Sequence, residues 1–183
     1  LLLPMNTQCS LIHKFNIQEL PAGAPPKLGA ANETAGYADA VKALTKASRV
    51  VVKVGGGARY AGKELSEFLD LIDGVAVTSP LVSGVMPYSH PRNMTVGGSK
   101  GSLCGNYAME EGDLLVALGT RFVCQSDSSR TGYPKVKQVI NINAEIESAM
   151  HYNKTIALIG DVPLTLRKLI DEIKRRRIDK GKS

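Results

Sequence analysis

The sequence predicts an α/β protein: a three-layer, doubly wound domain with a parallel sheet between layers of helices. Three observations carry this. Short, continuous apolar runs such as VAVT, LLVAL and IALI read as strands buried on both faces, without the alternation of a half-exposed sheet. These runs alternate along the chain with stretches at helical spacing, the pattern of parallel strands joined by helices. The segment KGSLCGNYAMEEGDLLVALGTRF joins a glycine-opened helix to an apolar strand ending in Gly-Thr-Arg, one complete helix-plus-strand unit.

Taken in order, residues 1–31 carry Pro4, Pro21, Pro25 and Pro26 with little helical periodicity, and are expected to be an extended interdomain linker. Residues 32–176 are expected to form the central α/β domain, and 177–183 a basic tail. Asn32 or Thr34 can cap a helix running to about Ala47, with Ala38, Val41, Leu44 and Thr45 on one stripe. The first strand is expected over 49–54. After Gly55-Gly56-Gly57, a helix over 63–72 places Leu65, Phe68, Leu69 and Ile72 at helical spacing, and Gly74 ends it. A short buried strand follows over 75–78. The Pro- and Gly-rich stretch that runs through Met86-Pro87-Tyr88-Ser89-His90-Pro91 to Gly97-Gly98 reads as a loop. A helix over 103–110, strands over 114–118, 138–142 and 156–159, and a closing helix over 163–175 complete the order. No internal repeat is apparent.

A length of 183 residues suits one domain with its own core. Hydrophobic residues at 43% and charged residues at 22% exclude a largely disordered chain. The apolar runs are too short to span a bilayer, so no membrane partner is expected, while cysteines that read as reduced thiols suggest a cytoplasmic location. Much of the net charge of +6 sits in KLIDEIKRRRIDKGK, where basic residues at a helix end suit its dipole. No basic and aromatic residues interleave as in base-stacking surfaces, so no nucleic-acid partner is expected. Cys9, Cys104 and Cys124 are odd in number and widely spaced, which indicates neither a disulfide framework nor a zinc site. The opening Leu1-Leu2-Leu3-Pro4 lacks the basic start of a signal peptide, and the chain is expected to be a fragment.

Chemistry could reside at the strand ends. Gly56 and Gly57 in VVKVGGGARY follow a strand, so their N–H groups could approach phosphates. The dinucleotide fingerprint fails at Tyr60, however, and no acid closes the next strand at Val77-Thr78; a tight turn clearing a neighbour is the other reading. Gly98, Ser99 and Lys100 precede a helix start, where free N–H groups and an ammonium suit a pyrophosphate. A plain glycine-rich connection is the alternative there. Gly119, Thr120 and Arg121 lie just past a strand's carboxyl end, where open parallel sheets bind ligands. Arg121 could clamp a phosphate, stack on a flat ring, or pair with Asp127. Asn141 and Asn143 end the next strand and could bond a ribose or adenine. Gly160-Asp161 ends the last and offers a carboxylate, although Asp161 also stands where it could cap the closing helix. No catalytic or metal-binding residue is predicted: His13, His90 and His151 are scattered, and neither a G-x-S-x-G elbow nor an H-E-x-x-H helix occurs.

Over roughly residues 46–173 the chain resembles the Rossmann-like central domain of thiamine-diphosphate-dependent enzymes of the acetolactate synthase type. The resemblance is carried, in order, by VVKVGGGARY, the loop 87–91, VGGSKGSLCGNYAMEEGDLLVALGTRF, VININAEIESAMHYNK and LIGDVPLTL. LLLPMNTQ is similar to the end of a preceding pyrimidine-binding domain. The resemblance implies a parent enzyme that holds thiamine diphosphate and magnesium between that domain and a following diphosphate-binding domain, in a homodimer or tetramer. It further implies that a glutamate activates the aminopyrimidine and that the following domain supplies a Gly-Asp-Gly to Asn motif for magnesium and diphosphate. The chain has no Gly-Asp-Gly, so by itself it is expected to be inactive, a structural domain of a decarboxylase, carboligase or acyl transferase (a lyase or transferase).

Some relatives of this type hold FAD or ADP on the central domain. The chain keeps the glycine loop, Gly119-Thr120-Arg121-Phe122 and Gly160-Asp161. It departs where FAD-binding members follow Arg-Phe with Asp-Asp-Arg, here Val123-Cys124-Gln125, and where their Asp-Ile-Asp strand end is Asn141-Ile142-Asn143. Each charged hydrogen bond so lost is worth about 1.5–3 kcal/mol, so a vestigial FAD or ADP site is expected. The alternative from a different class is a stand-alone NAD- or nucleotide-binding regulatory module.

Overall fold

The computed structural model describes residues 4–11, 16, 18 and 27–176. Six strands form one all-parallel sheet: β1 (Val50–Val54), β2 (Val75–Thr78), β3 (Asn93–Val96), β4 (Leu114–Leu118), β5 (Gln138–Asn143) and β6 (Thr155–Ile159). Their order is β3-β2-β1-β4-β5-β6, so the winding reverses between β1 and β4. That reversal opens a crevice at the carboxyl ends of the two central strands.

Helices α2 (Thr34–Lys46), α3 (Gly62–Ile72) and α7 (Val162–Arg175) cover one face of the sheet. Tyr37, Leu44, Leu65, Phe68, Leu166 and Leu169 bury against Val52, Val116, Ile140 and Leu158 there. The other face is covered by α4 (Leu103–Glu111), with Met109, Phe122 and Tyr133 packed on Val51, Val77, Leu115 and Val139. Every residue of β1 and β4 is buried, which is why β4 reads as an unbroken apolar run and β1 as one broken by Lys53 alone. The short helices α1 (Met5–Gln8), α5 (Cys124–Asp127) and α6 (Ile146–Ala149) lie in connections. Of the expected linker, residues 4–11, 16, 18 and 27–31 are described; Pro21, Pro25, Pro26 and His13 lie outside the described residues, as does the tail 177–183.

Several local expectations need correction. The Pro- and Gly-rich loop contains a strand, β3. It is half-buried, sits at the sheet edge against β2 with a register shift, and holds Thr95 at φ 65, so it lacks the apolar run of a central strand. Neither Asn32 nor Thr34 caps α2: its N-cap position is Glu33, without a side-chain bond. The stripe of α2 is Tyr37, Ala40, Val41 and Leu44, whereas Thr45 is exposed and turns its hydroxyl back to the Val41 carbonyl at 2.9 Å. At the end of α3 the left-handed residue is Asp73 (φ 50), one position before Gly74, whose N–H then reaches the Leu69 carbonyl.

The basic closing helix is also less free than its sequence suggests. Arg167 and Lys174 pair with Glu64 and Glu67 of α3, and Arg175 and Arg176 pair with Glu172. Much of the local positive charge is thereby compensated within the fold. No helix among the described residues is long and apolar enough to cross a membrane.

Candidate functional site

Because β1 and β4 are neighbours, the turns that follow them meet. The Gly57 N–H donates to the Gly119 carbonyl at 3.0 Å, and the Gly55 N–H to the Leu118 carbonyl at 2.8 Å. A Cβ on Gly55 would lie 2.5 Å from the Gly119 carbonyl oxygen, and one on Gly57 would lie 2.9 Å from the Gly119 Cα. Gly119 itself has φ 55, the region where a side chain is strained. The glycines are thus needed for one loop to clear another, the tight-turn reading of the motif.

A cleft of about 410 Å³ opens over these turns, and Gly56, Gly57, Gly119, Thr120, Arg121 and Asn143 all line it. A hollow of about 330 Å³ adjoins it across Ser79 and Leu81 and contains Lys100. Arg121 and Lys100 are exposed at the two ends, and the Nε of exposed Arg59 bonds the Gly56 carbonyl at 3.0 Å. Six of the predicted residues therefore do share one cleft, with Lys100 beside it.

The groups that would recognise a nucleotide are largely engaged by the chain itself. The Gly98 N–H donates to Asn106 Oδ1 at 2.8 Å, and the Ser99 N–H to the Gln125 carbonyl at 2.9 Å. A Cβ on Gly98 (φ 121) would come within 2.0 Å of that same carbonyl, so the loop lies flat on α5. Asn143 Nδ2 donates to the Thr120 carbonyl at 2.9 Å, and its Oδ1 accepts from the Glu145 N–H at 3.3 Å. Ser102 Oγ accepts the Gly105 N–H at 2.9 Å as the N-cap of α4, which satisfies one of its first-turn donors.

Three predicted residues lie elsewhere. Asn141 is buried on the α4 face of the sheet, where its Nδ2 donates to the Ser148 carbonyl at 3.1 Å. Asp161 caps α7, its Oδ1 accepting from the Leu164 N–H at 2.9 Å. Gly160 abuts the segment 29–31. The strand-end amide of Asn143 and the loop N–H groups of Gly98 and Ser99 thus have internal partners, and the Asp161 carboxylate caps a helix. Among the described residues no cluster of three His, Cys, Asp or Glu is arranged for a metal.

Sequence reasoning missed a buried polar network beneath the cleft. Lys53, in the middle of β1, is fully buried, with its Nζ 3.4 Å from the Gly97 carbonyl. Burial pushes its ammonium down from 10.5 to about 8, partly opposed by the negative charge of Asp127. Asp127, also fully buried, accepts from Tyr152 Oη at 3.0 Å and pairs with His151 Nε2 at 2.7 Å. It does not pair with Arg121. Phe122 stacks on His151 with ring centroids 4.8 Å apart. Tyr133, whose hydroxyl has no hydrogen-bond partner among the described residues, is pushed up well above its ordinary value by burial and by the charges of Tyr152 and Asp127. A lysine inside an otherwise apolar strand was the visible signal.

Residues 37–169 match the family model described as thiamine pyrophosphate enzyme, central domain. The chain belongs to that family. The sheet order and the strand-end turns described above are thus those of a thiamine pyrophosphate enzyme central domain. An acetolactate synthase of Mycobacterium bovis is 30% identical over 145 residues, covering 76% of this chain and 23% of the relative. A 3D-(3,5/4)-trihydroxycyclohexane-1,2-dione hydrolase of Bacillus cereus is 32% identical over 144 residues, covering 76% of this chain and 22% of the relative. A chloroplastic acetolactate synthase of Brassica napus is 31% identical over 140 residues, covering 74% and 21%. The chain spans less than a quarter of the length of these relatives.

Proposed function

We propose that this domain is the structural middle piece of an acetolactate synthase-like, thiamine-diphosphate-dependent enzyme, with a nucleotide cleft that is vestigial. In this reading the parent is a cytoplasmic homodimer or tetramer. Its pyrimidine-binding and diphosphate-binding domains hold thiamine diphosphate and magnesium, and carry out a decarboxylation, carboligation or acyl transfer. The central domain spaces and packs against them, and contributes no reacting group of its own.

The observation that supports the vestigial cleft is the internal use of its donors. Gly57, Gly98, Ser99 and Asn143 each give a hydrogen to an atom of the chain itself. A nucleotide would have to break such bonds before forming its own, and each exchange returns little free energy. The strand order β3-β2-β1-β4-β5-β6 is that of dinucleotide-binding domains, which favours the NAD-module reading, but the fingerprint glycine is replaced by Tyr60 and β2 closes on Thr78 without an acid.

The test is calorimetric titration of the folded chain with FAD, ADP, NAD and thiamine diphosphate in parallel. No saturable binding is expected from any of them. Saturable FAD or ADP binding in the low micromolar range, weakened by Arg121→Ala, would refute the vestigial site. NAD binding of that strength would favour the regulatory module.

A further inference from the structure

The segment 27–31 reaches the domain before α2 begins, and it is bound across the end of β6 like a docked peptide. The Asp161 N–H donates to the Gly29 carbonyl at 2.8 Å, and the Ala31 N–H donates to Thr165 Oγ1 at 3.0 Å. The Ala31 carbonyl accepts from both Tyr37 Oη and Lys168 Nζ, each at 3.0 Å. These partners come from three elements: α2 supplies Tyr37, the β6–α7 junction supplies Asp161, and α7 supplies Thr165 and Lys168.

Burial gives these bonds weight. Ala31 is 2% exposed and Thr165 is fully buried, so water does not compete freely for either end of their bond. Lys168 Nζ also stands 4.8 Å from the centre of the Tyr37 ring, within range of a cation–π attraction. Shape matches as well: a Cβ on Gly160 would lie 2.5 Å from the Ala31 nitrogen and 2.8 Å from the Gly29 carbonyl oxygen. Gly160-Asp161, predicted as a ligand element, holds the chain's own backbone.

We propose that Tyr37, Gly160, Asp161, Thr165 and Lys168 form a built docking site for the extended segment 29–31, which anchors the incoming polypeptide at a fixed point on the domain. The free reach of whatever precedes it then ends at Gly29, five residues before the first turn of α2. A tether would let the two sides sample a range of orientations; an anchored strap holds the entry point. Only the consequence for a preceding catalytic domain rests on the function proposed above; the anchoring is a property of this chain.

Amide hydrogen exchange of the full chain, read by NMR, tests it. The Ala31 and Asp161 amides are expected to exchange about a hundredfold or more slowly than an exposed loop amide, as buried bonded groups do. Thr165→Val removes the acceptor while keeping the shape, and should speed Ala31 exchange by roughly two- to tenfold, the value of one hydrogen bond. Gly160→Ala should release both amides, while the central-strand amide of Val116 keeps its protection. Unprotected exchange at Ala31 and Asp161 in the parent chain would overturn the proposal. So would protection at Ala31 unchanged in Thr165→Val, a variant that decides the matter even if Gly160→Ala does not fold.

Discussion

Replacing Lys53 by Met should make the domain more stable at neutral pH and remove a pH dependence that the parent chain shows. Lys53 lies fully buried in the central strand, with one long hydrogen bond and the field of Asp127 to offset the loss of water. A fall from 10.5 to about 8 corresponds to roughly 3 kcal/mol, at about 1.4 kcal/mol for each pH unit. Below about pH 8 both folded and unfolded chains carry the ammonium, and the folded state bears that whole cost. Between about 8 and 10.5 the folded chain gives up the proton while the unfolded chain retains it. The unfolded state then binds more protons, so stability rises with pH through this window by up to roughly 3 kcal/mol. Met fills a similar volume without a charge, and Asp127 keeps His151 and Tyr152. Buried Tyr37 and Tyr133 and half-buried Tyr152 have raised values and push the other way at high pH in both chains, so their effect cancels in the difference. The assay is urea unfolding followed by far-ultraviolet circular dichroism, since the chain has no Trp, from about pH 7 to about pH 10.5. The gain of Lys53→Met should be largest at neutral pH and shrink as pH rises through the window. Parallel stability curves for the two chains would refute the reasoning.

Two further outcomes follow from the same geometry. Asp127→Asn removes the negative charge that opposes the effect of burial on Lys53, so it should lower stability at pH 7 by about 3–5 kcal/mol and move the pH-dependent rise to lower pH, as the same urea series would show. Ser102→Ala should cost about 1–2 kcal/mol, because its hydroxyl caps α4 and also bonds Met94 of the edge strand at 3.1 Å; faster amide exchange should then appear in β3 and the first turn of α4, with β4 unaffected.

The legible parts of the fold are those in which local and global preferences agree. β2 and β4 coincide residue for residue with their apolar runs, because a strand buried on both faces needs an apolar side chain at nearly every position. The stripe of α3 was readable because Leu65, Phe68, Leu69 and Ile72 repeat at helical spacing and all four are buried. β3 was not readable, since Asn93-Met94-Thr95-Val96 pairs on one side alone and is never fully buried. In α2 the helix was legible but its face was off by one position, because the stripe was drawn without Tyr37, a residue only 3% exposed.

The sequence by itself determined the α/β class, five of the six strands, and the placing of Gly56, Gly57, Gly119, Thr120 and Arg121 at strand ends. Those features depend on periodicity and turn chemistry, which act over a few neighbouring residues. Which strands are neighbours, and therefore which groups are already satisfied, was decided by the tertiary structure alone. The Gly57 N–H is used because β1 lies beside β4, Lys53 meets the field of a carboxylate 74 positions along the chain, and Gly160 receives the backbone of Ala31. Hydrogen bonds and charges act over a few ångströms in space whatever the separation in sequence. The internal partners that separate a ligand cleft from a self-filled one therefore exist only once the sheet is assembled.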